Sequence, residues 1–201
     1  MKKKFNLKFS ERVSDHLIQA FLIFFSVLFA FWLNDYRNNQ IQKEQSELTL
    51  NFVNTELKNN LKTLEYWKSH HKNIMNSTEE LLTNSSDSIN TFQLDRLVNP
   101  DKGIFKAIIT KNAHNYLQNT SEIDAALNLE LNRIYQQQLY VENALQDVLN
   151  FLKEREIYNE KMARTNYVIF NQLISELYYQ EEAMIPSYKS GIEKISAHLT
   201  K

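Results

Sequence analysis

Cysteine is absent from the 201 residues, and glycine and proline occur only twice each, at Gly103, Gly191, Pro100 and Pro186. The first absence excludes a disulfide framework, a thiolate zinc site and a thiol nucleophile. The second excludes more. Average glycine usage is about 7%, and both tight hairpins and phosphate-cradling loops need glycine at positive φ. A β-rich fold or a nucleotide-binding α/β fold is therefore not expected, and the chain should be all-α. No charge of one sign dominates either. The 23 basic and 24 acidic residues leave a net charge of −1, so nucleic acid is not an expected partner.

What the chain does have is one long apolar run. Residues Leu17 to Leu33 read LIQAFLIFFSVLFAFWL, and twelve of these positions are Leu, Ile, Val or Phe. At roughly −0.3 to −0.6 kcal/mol each, they favour the bilayer by about 4 to 7 kcal/mol before the polar positions are counted against them. As a helix the run is about 25 Å long, and its flanks extend it towards the ~30 Å hydrocarbon core. A soluble core helix would keep a polar stripe, whereas only Gln19 and Ser26 interrupt this one. A cleaved leader would be shorter, with small residues at its end. The expectation is an uncleaved membrane helix over residues 13–36, with Leu17, Phe21, Phe25, Leu28 and Trp32 facing membrane lipid.

Lys2, Lys3, Lys4, Lys8 and Arg12 precede the run, and only Arg37 and Lys43 follow it closely. That asymmetry places the basic tip, residues 1–12, in the cytoplasm, and residues 37–201 outside it at the inner membrane. Trp32 and Tyr36 would sit in the headgroup layer at the exit.

The remainder reads as a bundle of long helices. Leu50, Val53, Leu57, Leu64, Trp67, Ile74 and Leu81 fall on alternating three- and four-residue steps, with Asn60, His71 and Thr78 as polar members of the stripe. This predicts that the membrane helix continues into an antiparallel, coiled-coil-like bundle, with a possible restart at Ser77–Glu80. TNSSDSIN (83–90) predicts a loop. Asn99-Pro100 predicts the start of a helix carrying Ile104, Phe105, Ile108, Ile109 and Leu117, and 119–122 predicts the next cap. The longest helix should follow, with Leu127, Leu131, Ile134, Val141, Leu145, Val148 and Leu152 buried against the first stripe and Gln138 as its polar member. Its stripe resumes in shifted register at Ala163, Tyr167, Phe170, Ile174 and Leu177, which predicts a stutter or bend near 153–161. Pro186 should end it, with Ser190 and Glu193 capping a short last helix.

Signals for chemistry are few. His16, His70, His71, His114 and His198 include no pair at i, i+3 or i+4, so no metal site and no cofactor are expected. Serine-nucleophile and phosphate-loop motifs are absent. The abundant Asp and Glu residues read as solvated helix faces. The extramembrane tyrosines stand out more. They pack a core in one reading and form a protein-binding face in the other, with Tyr178 and Tyr179 the candidate contacts.

The layout resembles a family of small, uncharacterised bacterial membrane proteins known only as a domain of unknown function. The resemblance lies in the basic N-terminus, the single membrane helix leaving through Trp32-Leu33-Asn34-Asp35, and the helical remainder. It extends to TKNAHNYLQNTSEID (110–124) and LNRIYQQQLYVENAL (131–145). Family members more often have Asn before Trp at the exit, and a Ser-Gly turn where this chain has no glycine. The resemblance implies architecture and no active site. Together these features lead to the expectation of a non-enzymatic, membrane-anchored helical scaffold that binds a protein partner or a second copy of itself. The alternative is a ligand-sensing bundle of chemoreceptor type that signals through a membrane partner.

Overall fold

The computed structural model describes residues 11–84, 89, 91–94, 97–98, 103–104, 109–120 and 122–200. The basic residues of the tip up to Lys8, the Asn99-Pro100 cap, and Phe105 and Ile108 lie outside the described residues. All regular structure among the described residues is helical: α1 (Glu11–Asn84), α2 (Asn112–Gln118), α3 (Ala125–Phe151) and α4 (Ala163–Leu199). The chain divides into two compact units, residues 1–45 and 46–201.

α1 has neither proline nor glycine to stop it, and it runs 74 residues without a restart at Ser77. In the first unit every described side chain from Asp15 to Gln45 is exposed. In the second unit α1 buries one face, in which Leu50, Val53, Leu57, Leu64, Trp67 and Ile74 are nearly or fully enclosed. This is the stripe legible in the sequence. Leu81, its last member, is half-buried.

The second stripe is not one helix with a stutter. It is two helices with a reversal between them. α3 ends at Phe151, two 3₁₀ turns follow at Arg155–Tyr158 and Glu160–Met162, and α4 starts at Ala163. The sequence KEREIYNEK has one residue to bury, Ile157, so a continuing helix would gain little from packing there. Asn159 instead caps the second turn by accepting from the Lys161 N–H at 3.1 Å. The Asn166 amide ties the reversal down by donating to the Ile157 carbonyl at 3.1 Å.

α4 runs antiparallel to both other long helices. Against α1 it pairs Glu65 with Lys189, Lys68 with Glu182 and His71 with Glu181. Against α3 it pairs Glu130 with Ser190 and Gln137 with Ser187. Glu56 and Asn60 of α1 meet Tyr135 and Gln138 of α3, so α1 and α3 run parallel, with α4 reversed against them.

Pro186 does not end α4; it lies inside it, on an exposed position. An interior proline costs about 3 kcal/mol or more. Burial of Met184, Tyr188 and Ile195 around it offsets that cost. Ser190 consequently caps nothing and donates to Glu130 at 3.0 Å. Gly191 faces side chains of both α1 and α3. A Cβ there would lie 2.5 Å from Cδ1 of Ile134 and 3.1 Å from Cδ1 of Leu57, so the second glycine serves close approach, not a turn.

Parallel α1 and α3 require a connection that returns along the bundle. This strap covers the segment where a helix is expected over 104–117, and its described residues are helical only in part. Gly103 has a φ of 64°, and residues 103–104 and 109–111 are not helical. Among the described residues of this segment, α-helix is found at Asn112–Gln118. The strap begins with Phe92 among Phe151, Tyr167 and Phe170, at centroid distances of 5.9, 4.8 and 5.6 Å. It passes His70 and His71 at residues 103–104 and Asn60 at Thr110. At its far end Thr120 meets Thr49 at 3.1 Å. The cap of α3 is Asp124, which accepts from the N–H groups of Ala126 and Leu127, not the 119–122 segment.

Candidate functional site

Three sets of residues bear on function: the exposed apolar face of α1, the exposed aromatics of the bundle, and the polar groups that hold the strap.

The first set is the expected membrane span. Leu17, Phe21, Phe25, Leu28 and Trp32 are all about half exposed or more. Trp32 stacks between Phe29 and Tyr36, with centroids 5.8 and 6.1 Å away. Ser26 satisfies its hydroxyl by donating to the Leu22 carbonyl at 2.7 Å, which removes the polar cost of that position in an apolar solvent. One helix near the N-terminus is thus long and apolar enough to cross a membrane.

The second set separates the two candidate tyrosines. Tyr179 is 57% exposed, but Tyr178 is only 6% exposed. The expectation of an exposed Tyr178 is therefore corrected. Its ring lies under the ammonium groups of Lys68 and Lys72, at 5.6 and 6.0 Å, and its hydroxyl donates to Glu182 at 3.2 Å. Adjacent residues on a helix point about 100° apart, and the apolar stripe of α4 takes Leu177 and Tyr178 together. Phe52 and Tyr116 form a further exposed pair, with centroids 5.9 Å apart.

The third set went unrecognised as a group. Glu56 is not on a solvated face. Its carboxylate accepts from the Tyr135 hydroxyl at 2.7 Å, the Asn112 N–H at 2.7 Å, the Ala113 N–H at 3.3 Å and the Thr110 hydroxyl at 3.0 Å. It thereby caps α2, whose own cap residue Lys111 offers no side-chain bond. Burial raises the Tyr135 hydroxyl far above its ordinary range, and the bond to Glu56 adds to this. Asn60 brackets the strap backbone: its amide nitrogen donates to the Thr110 carbonyl at 2.7 Å, and its oxygen accepts from the Thr110 N–H at 2.9 Å. Gln138 donates to the same carbonyl and accepts from the Tyr188 hydroxyl at 2.9 Å.

One level further along α1, His71 and Glu181 have no exposed surface. The His71 Nδ1 lies 2.9 and 3.0 Å from the two Glu181 oxygens, and its Nε2 lies 2.8 Å from the Ile104 carbonyl. Trp67 stacks on the imidazole, with centroids 5.8 Å apart. Beside it, His70 donates from Nε2 to the Gly103 carbonyl at 2.8 Å. Burial pushes the Glu181 carboxyl up; the hydrogen bond and charge of His71, and the charge of Lys68, pull it back.

Asn60, His71 and Gln138 are thus the polar members of otherwise apolar stripes because they satisfy a backbone that is not helical. A buried carbonyl or N–H without a partner costs about 1–3 kcal/mol, and an irregular segment cannot bond to itself as a helix does. The sequence signal was present, as polar residues in register with leucines. No group of three His, Asp or Glu side chains suited to a metal converges among the described residues, and His114 bonds to Asn132 at 2.8 Å and stacks on Tyr135. Comparisons with protein-family models, curated proteins and solved structures give no match, so the functional reading rests on this chain alone.

Proposed function

We propose that the chain is a single-pass, membrane-anchored helical scaffold, non-enzymatic, with its N-terminus in the cytoplasm and residues 37–201 outside it at the inner membrane. The observation that carries this reading is the contrast along α1. From Asp15 to Gln45 no described side chain is covered by the protein, although the stretch includes twelve Leu, Ile, Val and Phe residues between 17 and 33. From Ser46 onward the same helix buries a regular face. Apolar surface left uncovered on this scale marks contact with another apolar phase. The Lys/Arg excess before the span supports the orientation.

The scaffold reading draws support from the polar interior. Glu56, His71, Gln138 and Glu181 are bonded to protein groups, and these bonds have a structural use in holding the strap. Chemistry of recognition is better supplied by the exposed rings, since Tyr and Trp are enriched at protein interfaces. The resemblance drawn from the sequence agrees with such an architecture.

Two reporter fusions after Lys201 test the topology, one enzyme active only in the cytoplasm and one active only outside. Activity is expected from the second alone. Cytoplasmic activity, or a soluble product starting near residue 31, would defeat the proposed anchor. For the surface, a photo-crosslinking side chain in place of Tyr179 should give a discrete adduct in intact membranes, either with a partner or with a second copy. The same group in place of Glu193 should not. Equal labelling at both positions would remove Tyr179 from the interface.

A further inference from the structure

The hydrogen bonds of His71 fix how many protons its pair with Glu181 holds. The Ile104 carbonyl only accepts, so Nε2 carries a proton. Nδ1 and the carboxylate oxygens lie 2.9 and 3.0 Å apart, so one further proton stands between them. It sits on Nδ1, giving imidazolium and carboxylate, or on Glu181, giving neutral imidazole and carboxylic acid. Either arrangement has the same proton count and no net charge, as a fully enclosed site requires.

Loss of that proton has a directional result. One N–H remains on the ring, and the buried carboxylate is the stronger acceptor. The remaining proton therefore goes to Nδ1. Nε2 is left as a lone pair facing the Ile104 carbonyl at hydrogen-bond distance, and attraction turns into repulsion. The strap loses its bond to α1 while α1 and α4 keep theirs to each other.

We propose that the His71–Glu181 pair is a proton-held latch that ties the strap at Ile104 to α1 and α4, and frees it there when the shared proton is lost. Among the described residues, the other charged and titratable groups near the pair are engaged elsewhere. From α1, Lys68 is paired with Glu182 at 2.9 Å, Lys72 lies over the Tyr178 ring, and His70 holds the Gly103 carbonyl. From α4, Tyr178 donates to Glu182. From the described strap residues, only the carbonyls of Gly103 and Ile104 face the two histidines. The raised Glu181 carboxyl acts in the same direction. A group whose native proton affinity exceeds its unfolded one contributes stability that is fully present below its unfolded value of 4.5, and that contribution is lost as pH rises through the higher native value. Asn60 and Glu56 hold the strap at Thr110 and at the start of α2 by separate bonds, so release is local.

Glu181→Gln separates the latch from simple packing. The glutamine amide donates to Nδ1, Nε2 keeps its proton for Ile104, and the site has no shared proton to lose. Hydrogen exchange of the Gly103 and Ile104 amides is to be measured on the full chain in nanodiscs from about pH 6 to about pH 10, with wild type and variant compared at each pH. The two should exchange alike near pH 6. Above the titration of the pair the wild type should exchange faster than Glu181→Gln, by about tenfold per pH unit as one proton is lost. The Thr110 amide should show no such divergence, and Glu182→Gln should follow the wild type. Parallel profiles for wild type and Glu181→Gln would overturn the latch. Should the variant not fold, ring-nitrogen spectra of the wild type decide alone. Nε2 must lose its proton in step with the rise in exchange at Ile104, and exchange that rises while Nε2 stays protonated would refute the proposal.

Discussion

Leu131→Ala is expected to lower the unfolding free energy of the full chain by about 2 to 5 kcal/mol, while Leu145→Ala costs well under half as much. Both leucines belong to one stripe of α3 and are equivalent by spacing. Leu131 is fully enclosed at the level where Gly191 brings α4 against α1 and α3. A methyl group placed on Gly191 would touch Cδ2 of Leu131 at 3.7 Å, so truncation at Leu131 opens a cavity inside a fully enclosed part of the core. Leu145 is half-buried and lines an open groove with Ile109, Val141 and Leu149. Water reaches that side, and less apolar surface is returned to it on truncation. Denaturant unfolding followed by Trp67 emission, in a Trp32→Phe background, measures both. Equal losses at the two positions would show that the stripe is buried evenly and that the three-helix contact at Gly191 has no special weight.

The difference between these leucines marks the limit of what periodicity reveals. A stripe read along one helix identifies the face that is buried, and α1 was legible in this way from Leu50 to Ile74. It does not say what covers that face. Leu145 lies beside the strap at Ile109 and Thr110. The helix expected over 104–117 is met only from Asn112 onward among the described residues: Ile104, Ile109 and Leu117 are buried as expected, but Ile104 and Ile109 lie outside helix. Segment 153–161 illustrates a second limit. Loss of an apolar stripe fits a bend or a full reversal equally, and only the partners available to Ala163, Tyr167 and Phe170 decide between them. Pro186 shows propensity overridden by packing. Tyr178 and Tyr179 were indistinguishable because a shifted stripe can take in either neighbour. Glu56 and Glu181 were read as solvated because carboxylates are almost never buried unless paired, and their partners are remote: Tyr135 lies 79 residues from Glu56, and His71 lies 110 residues from Glu181.

Glu56→Ala tests whether the strap is held by polar bonds or by its apolar residues alone. The substitution is expected to cost about 2 to 5 kcal/mol, because it strands several donors at once. The Tyr135 hydroxyl, the Thr110 hydroxyl and the Asn112 and Ala113 N–H groups all lose their acceptor, and α2 loses its cap. Glu56→Gln should recover only part of the loss. Its carbonyl oxygen can accept, but its NH₂ would be turned towards groups that themselves donate. The cost of the stranded phenol can be isolated. Adding Tyr135→Phe to Glu56→Ala removes a donor that has nothing to bond, so the double variant should be more stable than the sum of the two single losses predicts, by about 1 to 3 kcal/mol. Asn60 still brackets Thr110 in all of these variants, so the strap should loosen first at Asn112 and Ala113, and amide exchange should rise there before it rises at Thr110. A Glu56→Ala loss of no more than about 0.5 kcal/mol, the size of an ordinary surface substitution, would mean that the apolar residues of the strap fix its path and that the carboxylate merely accompanies it.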